Sequence, residues 1–182
     1  NWTRLFGTDD VYQISIIGDR RIATPGATPG GRYYSSLHFD ASRNALLLFG
    51  GTEVSGKKAD LWMYYISNGT WAWMAGNASA NIYASTGLQS YPGAREGHLS
   101  WWDAARQEFW LFGGDGYGET TAGRLNDFWR YQFSIDAWTA KYGTLSGNNR
   151  GTAGTQGQYA MGPAPGARTY STGAVSYTQL AG

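Results

Sequence analysis

The chain has 182 residues and a mass of 19.9 kDa, room for one ordinary domain or for part of a larger one. Fourteen Lys and Arg against thirteen Asp and Glu leave a net charge of +1, which excludes the concentrated positive charge of a nucleic-acid grip or a polybasic membrane patch. Zero Cys excludes a disulfide scaffold, a thiolate metal site and a Cys nucleophile together. No apolar run of about 20 residues is present, so no membrane-spanning helix and no membrane insertion are expected. The first residue is Asn1 and no signal peptide is visible, which suggests a processed or partial chain. Against 15% charged residues stand 27 Gly, 9 Trp and 13 Tyr, a loading that suits short strands and tight turns.

An internal repeat organises the chain. Gly31-Arg32 recurs as Ala94-Arg95 and Ala167-Arg168, each time after Pro-Gly. Leu46-Leu47-Leu48-Phe49-Gly50-Gly51 recurs as Phe109-Trp110-Leu111-Phe112-Gly113-Gly114, and the offset of 63 matches that from Arg32 to Arg95. Asp60-Leu61-Trp62-Met63-Tyr64 recurs as Asp127-Phe128-Trp129-Arg130-Tyr131 at an offset of 67, which Trp71 and Trp138 share. A single four-residue insertion between the Gly-Gly and the Asp accounts for the difference.

Each copy reads as four short strands, roughly 33–40, 45–49, 60–66 and 70–75, then 97–103, 108–112, 127–133 and 137–142. The second strand of each is continuously apolar, as a strand covered on both faces should be, and its Gly-Gly provides positive φ and close packing. Residues 40–44 and 103–107 read as hairpin connections, as do 67–69 and 134–136. The connections 52–59 and 115–126, with the linkers 76–93 and 143–166, read as long loops gathered at one end of the sheets. A lone sheet with aromatic residues on both faces cannot bury them, whereas stacked copies can.

The apolar run closing on Gly50-Gly51 or Gly113-Gly114, the Asp-x-Trp-x-Tyr, and a Trp nine residues after the first resemble the kelch repeat. The resemblance implies an all-β fold of kelch-type β-propeller blades, each of four antiparallel strands, forming a partial propeller within this chain. Residues 30–76 and 93–143 then form two blades, and 165–182 begin a further one. Residues 1–6 carry Trp2 and look like the last strand of a preceding blade; 7–29, 77–92 and 144–164 are linkers. Kelch periods are about 50 residues. The spacings here are 63 and then 73, with the excess in the linkers, a departure from compact intracellular kelch proteins. A propeller closes with about 4–8 blades, so the missing blades come from the same chain or from other copies. Ends that fall in mid-blade favour a segment of a longer chain.

In-phase repetition assigns Arg32, Gly50, Gly51, Asp60, Trp62 and Trp71 to the architecture, with their counterparts Arg95, Gly113, Gly114, Asp127, Trp129 and Trp138. Asp60 and Asp127 read as turn-capping groups, and His98, in phase with Ser35 and Ser171, as a polar group satisfying backbone or linker. Contact with a ligand falls instead to loop aromatics, Tyr83, Tyr91, Tyr117 and Tyr159, because loops on a rigid scaffold commonly carry binding. Two His and no Cys leave zinc or copper without a ligand set, so neither a metal nor another cofactor is expected. The copper-oxidase propellers that share kelch features use a Cys-modified Tyr, for which no Cys exists here. No phosphate loop is present, and no catalytic residue is assigned.

Three N-glycosylation acceptors, at Asn1, Asn68 and Asn77, tilt localisation towards the extracellular space or cell surface, with the cytoplasm as the alternative. The expectation is a non-catalytic extracellular interaction or structural module, binding protein or glycan through the long-loop face. Two alternatives stand beside it. One is a carbohydrate-active enzyme propeller (lyase, epimerase or oxidase) whose catalytic residues lie mostly elsewhere. The other is an intracellular kelch adaptor for partner recruitment.

Overall fold

Two tight turns of the same design start the two halves of the fold. Asn44 and Gln107 both adopt positive φ, and Asp40 and Asp103 accept the backbone N–H of Ser42 and Arg106 inside their turns. A computed structural model of the chain describes residues 12–153 and 165–171, together with 3, 4, 7, 9 and 10. Its strands are β1 (Ser36–Asp40), β2 (Ala45–Phe49), β3 (Thr52–Glu53), β4 (Gly56–Lys57), β5 (Ala59–Tyr65) and β6 (Thr70–Asn77). They continue with β7 (Arg95–Glu96), β8 (Leu99–Asp103), β9 (Glu108–Tyr117), β10 (Ala122–Gln132) and β11 (Ala137–Tyr142). The described residues are all-β.

The first sheet has the order β1-β2-β5-β6, antiparallel throughout. In the second, β11, β10 and β9 run side by side, and β8 and β7 pair successive stretches of β9. Three sequence expectations change. The first strand of copy one starts at Ser36 rather than at residue 33, because Tyr34 sits at φ 55° and breaks the extended run. Residues 52–59 are not an open loop: 52–57 form the hairpin β3-β4, and Ala59 already opens β5. Residues 115–126 are largely the ends of β9 and β10, paired from Ala122↔Tyr117 to Leu125↔Gly114. Backbone groups that would need solvent in a loop thus find ladder partners.

The core lies between the sheets. Ala45, Leu47 and Phe49 of β2 are buried against Phe109 and Leu111 of β9, with Trp102, Tyr131 and Trp138 closing around them. Leu46 and Leu48 point to the opposite face and are half-buried. Cross-sheet polar contacts are reciprocal: His38 Nε2 meets Ser100 Oγ at 2.8 Å, and His98 Nε2 meets Ser36 Oγ at 2.9 Å. His98 therefore serves a side chain of the other copy rather than backbone or linker.

The packing follows the repeat. The β9 side chains that face copy one, Phe109 and Leu111, are the counterparts of Leu46 and Leu48, which face away from copy two. Phe39, the counterpart of buried Trp102, is 54% exposed. On the far side of the second sheet, Trp101 and Trp110 stack at 5.9 Å beside Phe128. The described residues thus leave open one example of each face that packs in the middle.

A glycine pair outside the sequence motif is also in phase. Gly76 and Gly143 have φ 85° and 86°, and a Cβ would lie 1.9 Å from the Ala59 carbonyl oxygen and 2.1 Å from that of Asn126. Only glycine fits where the outer strand crosses the bulge of its neighbour. Gly143→Ala is expected to cost more than about 2 kcal/mol, seen as a lower urea midpoint with unchanged slope.

Candidate functional site

The repeated Arg, Asp and Trp form one clamp per copy. Arg95 Nη1 and Nη2 donate to the two Asp127 carboxylate oxygens at 2.6 and 2.7 Å, and Trp129 Nε1 donates to the same carboxylate at 2.6 Å. Arg95 also donates to the Gly93 and Gly113 carbonyls at 3.0 Å each. In copy one, Arg32 holds Asp60 at 2.7 and 3.1 Å and the Gly50 carbonyl at 3.0 Å, while Trp62 Nε1 donates to Asp60 at 2.8 Å. Both aspartates are fully buried. They are not turn caps: a buried carboxylate needs a full set of donors, and the strand-opening Arg and the indole provide it.

The same arginines link the units through their backbone. Arg95 N donates to the Lys58 carbonyl at 3.0 Å, and its carbonyl accepts from Gly51 N at 2.9 Å. Arg168 does likewise on copy two, donating to Leu125 O at 3.0 Å and accepting from Gly114 N at 2.9 Å. Segment 165–171 therefore takes on copy two the seat that 92–98 occupies on copy one. The Gly-Gly pairs need to be bare here: a Cβ on Gly50 would lie 2.8 Å from the Arg95 carbonyl oxygen. All these groups are spent on the scaffold.

The loop tyrosines divide. Tyr83, 46% exposed, and Tyr117 meet edge to face at 5.2 Å, held together because Ala84 N donates to Gly118 O across linker and hairpin tip. Tyr91 lies apart from them, in a crevice of about 550 Å³ between the outer strands of the two sheets. Asn68 is exposed, its Oδ1 accepting from Thr70, and Asn77 is half-buried with Oδ1 accepting from Ser79 N. Asn1, Trp2 and Tyr159 lie outside the described residues.

The crevice draws on segments that no local motif connects. Trp73 and Asn77 come from β6, Leu88 and Tyr91 from the following linker, and Asp136 and Trp138 from the last hairpin of copy two. Arg20 reaches in from the N-terminal linker and donates to Asp136 at 2.6 Å; Arg21 approaches the same carboxylate at 3.3 Å. Asp136 also accepts from the Tyr131 hydroxyl, and burial first, with that carboxylate second, pushes the phenol above its ordinary range. Trp138 is 5% exposed, and its Nε1 has no hydrogen-bond partner among the described residues. The in-phase Trp signal could point only to packing, and Trp138 does pack on Phe49 and Phe109. That it also lines the crevice required knowing what stands across the sheet boundary. Among the described residues no three His, Asp or Glu come together as metal ligands.

No family model matches the chain, and no curated protein matches it. Among solved structures, the chain is similar to the structure of YjhT, at 13% identity and a TM-score of 0.45. The similarity covers 65% of this chain and 40% of that one, so the chain spans less than half of its length. The fold therefore rests on the sheets described above: all-β, antiparallel and repeated.

Proposed function

We propose that the chain is part of a kelch-type β-propeller serving as a non-catalytic extracellular interaction or structural module, which binds protein or glycan through the face of long connections. The observation that carries this reading is the exhaustion of the in-phase polar groups. Arg32, Asp60, Arg95 and Asp127 are consumed by the two clamps, which leaves loop aromatics as the contact groups. Further units, from the same chain or from other copies, cover the two open sheet faces, since each repeats a face that already packs in the middle. Heterologous contacts of this kind close into rings when the rotation permits.

The paired rings of Tyr83 and Tyr117 are the contact expected to matter most. Glycan and protein arrays probed with the chain should show a ligand whose binding falls about tenfold or more in Tyr117→Ala, with the melting temperature unchanged. Turnover of a sugar substrate, abolished by the same substitution, would overturn the non-catalytic reading. Mass spectrometry of the chain from its native source should find glycan on Asn68 or Asn77; bare asparagines at both would remove the extracellular assignment.

A further inference from the structure

The crevice between the two sheets has the dimensions of a small-molecule site, about 300–1,000 Å³ in general, and here about 550 Å³. We infer that it is a subsite for a neutral saccharide. Three observations carry the assignment. Its walls include Tyr91 and Leu88, apolar surfaces of the kind on which the C–H face of a sugar ring packs. Its polar lining combines donors with acceptors. Asn77 and Gln89 offer both, and the lining charges, Arg20 and Asp136, are already paired with each other. That balance suits hydroxyl groups and gives no net charge to attract an ion. The third is Trp138, a lining residue whose indole N–H is buried without a partner among the described residues. A buried donor left unsatisfied is costly, and a ligand hydroxyl oxygen would satisfy it.

One saccharide chemistry has two sources here. Asn77, the acceptor of an Asn-Ala-Ser sequon, itself lines the crevice, so the occupant is either an added oligosaccharide or the first sugars of a glycan on Asn77. The inference rests on the glycan arm of the function proposed above, yet uses none of its loop-face residues.

The test uses the whole chain made without glycosylation and titrated with neutral oligomers of glucose, galactose, mannose and N-acetylglucosamine. The Trp138 indole resonance is followed by NMR, and affinity by calorimetry. At least one oligomer is expected to shift that resonance, with binding roughly threefold to tenfold weaker in Trp138→Phe, which keeps the ring but loses the N–H. Leu88→Asp, at an exposed position, should weaken binding without touching the core. Tyr117→Ala should leave it intact. In chain secreted from eukaryotic cells, an Asn77 glycan as occupant would shift the indole resonance without added sugar and block the titration, and Asn77→Gln would reverse both. Binding lost in Tyr117→Ala but kept in Trp138→Phe and Leu88→Asp would overturn the crevice while leaving the loop face standing. Binding of acidic sugars only would overturn the neutral assignment. An unmoved indole resonance in both preparations would overturn the subsite altogether.

Discussion

Asp127→Ala is expected to destabilise the chain by about 3–5 kcal/mol, the effect of stranding a buried charge. The carboxylate and Arg95 are both fully buried, and three donors from Arg95 and Trp129 converge on it. Removing it leaves a guanidinium with only the Gly93 and Gly113 carbonyls as partners, and an indole N–H with none of its present contacts. Arg95→Met should be comparably severe, since it leaves the carboxylate exposed to desolvation without its counter-charge. The double variant Arg95→Met/Asp127→Leu should lie closer to wild type than either single one, because no ion is then left alone. Urea denaturation of the four proteins at neutral pH checks this. Additive losses in the double variant would show that the pair acts as two independent packing residues.

The second large effect is acid sensitivity centred on His98. Its imidazole is pushed down to about 3, first by burial, then by the positive charges of Arg95 and His38. The Phe49 ring packs on it at 5.2 Å and Ser36 holds Nε2, while Nδ1 has no partner among the described residues. In the unfolded chain a histidine takes its proton near pH 6.5. Between about 6.5 and about 3 the unfolded state therefore holds the extra proton, and stability falls as pH falls, by about 1.4 kcal/mol per pH unit at the full slope. Above about 6.5 nothing is lost. His38, lowered by burial, adds in the same direction. For Asp40 and Glu53 burial works upward, but hydrogen bonds from Ser42 and Arg43, and from Ser55, Lys58 and Ser15, outweigh it and hold both low. Their stabilisation is lost as pH falls through the unfolded values, 3.8 for Asp40 and 4.5 for Glu53, towards the lower folded ones. Unfolding free energy measured from pH 7 to about 5.5 thus isolates the histidines. His98→Gln should flatten the slope, and an equal slope in the variant would remove His98 as its cause.

Both effects sit on positions that the repeat marked, yet the repeat conveyed unequal amounts about them. Strands β2, β6, β8 and β11 were legible to within a few residues because apolar runs, paired Gly and turn residues act locally. Residues 52–59 and 115–126 were misread as loops because these polar, glycine-containing stretches carry no apolar periodicity, and their partners (Tyr33 for Thr52, β7 and β10 for the end of β9) are chosen by the fold. The shared offsets placed Arg95 and Asp127 in one structural unit but could not say that their side chains touch, so the carboxylate read as a turn cap. The crevice was not legible at all. Of the described loop tyrosines only Tyr91 lines it, and it meets there with Arg20 and Trp138, from distant parts of the chain.

The sequence by itself determined that two copies repeat, the order of their main strands and the glycines at the turns, since each depends on residues close along the chain or on identity in phase. Only the tertiary structure decided which face of one sheet meets which face of the next. That choice pairs His38 with Ser100 and His98 with Ser36, and it makes Trp138 part of the lining of a crevice. The physical reason is that inter-sheet contacts join residues some 60 positions apart, where shape and burial select the partner.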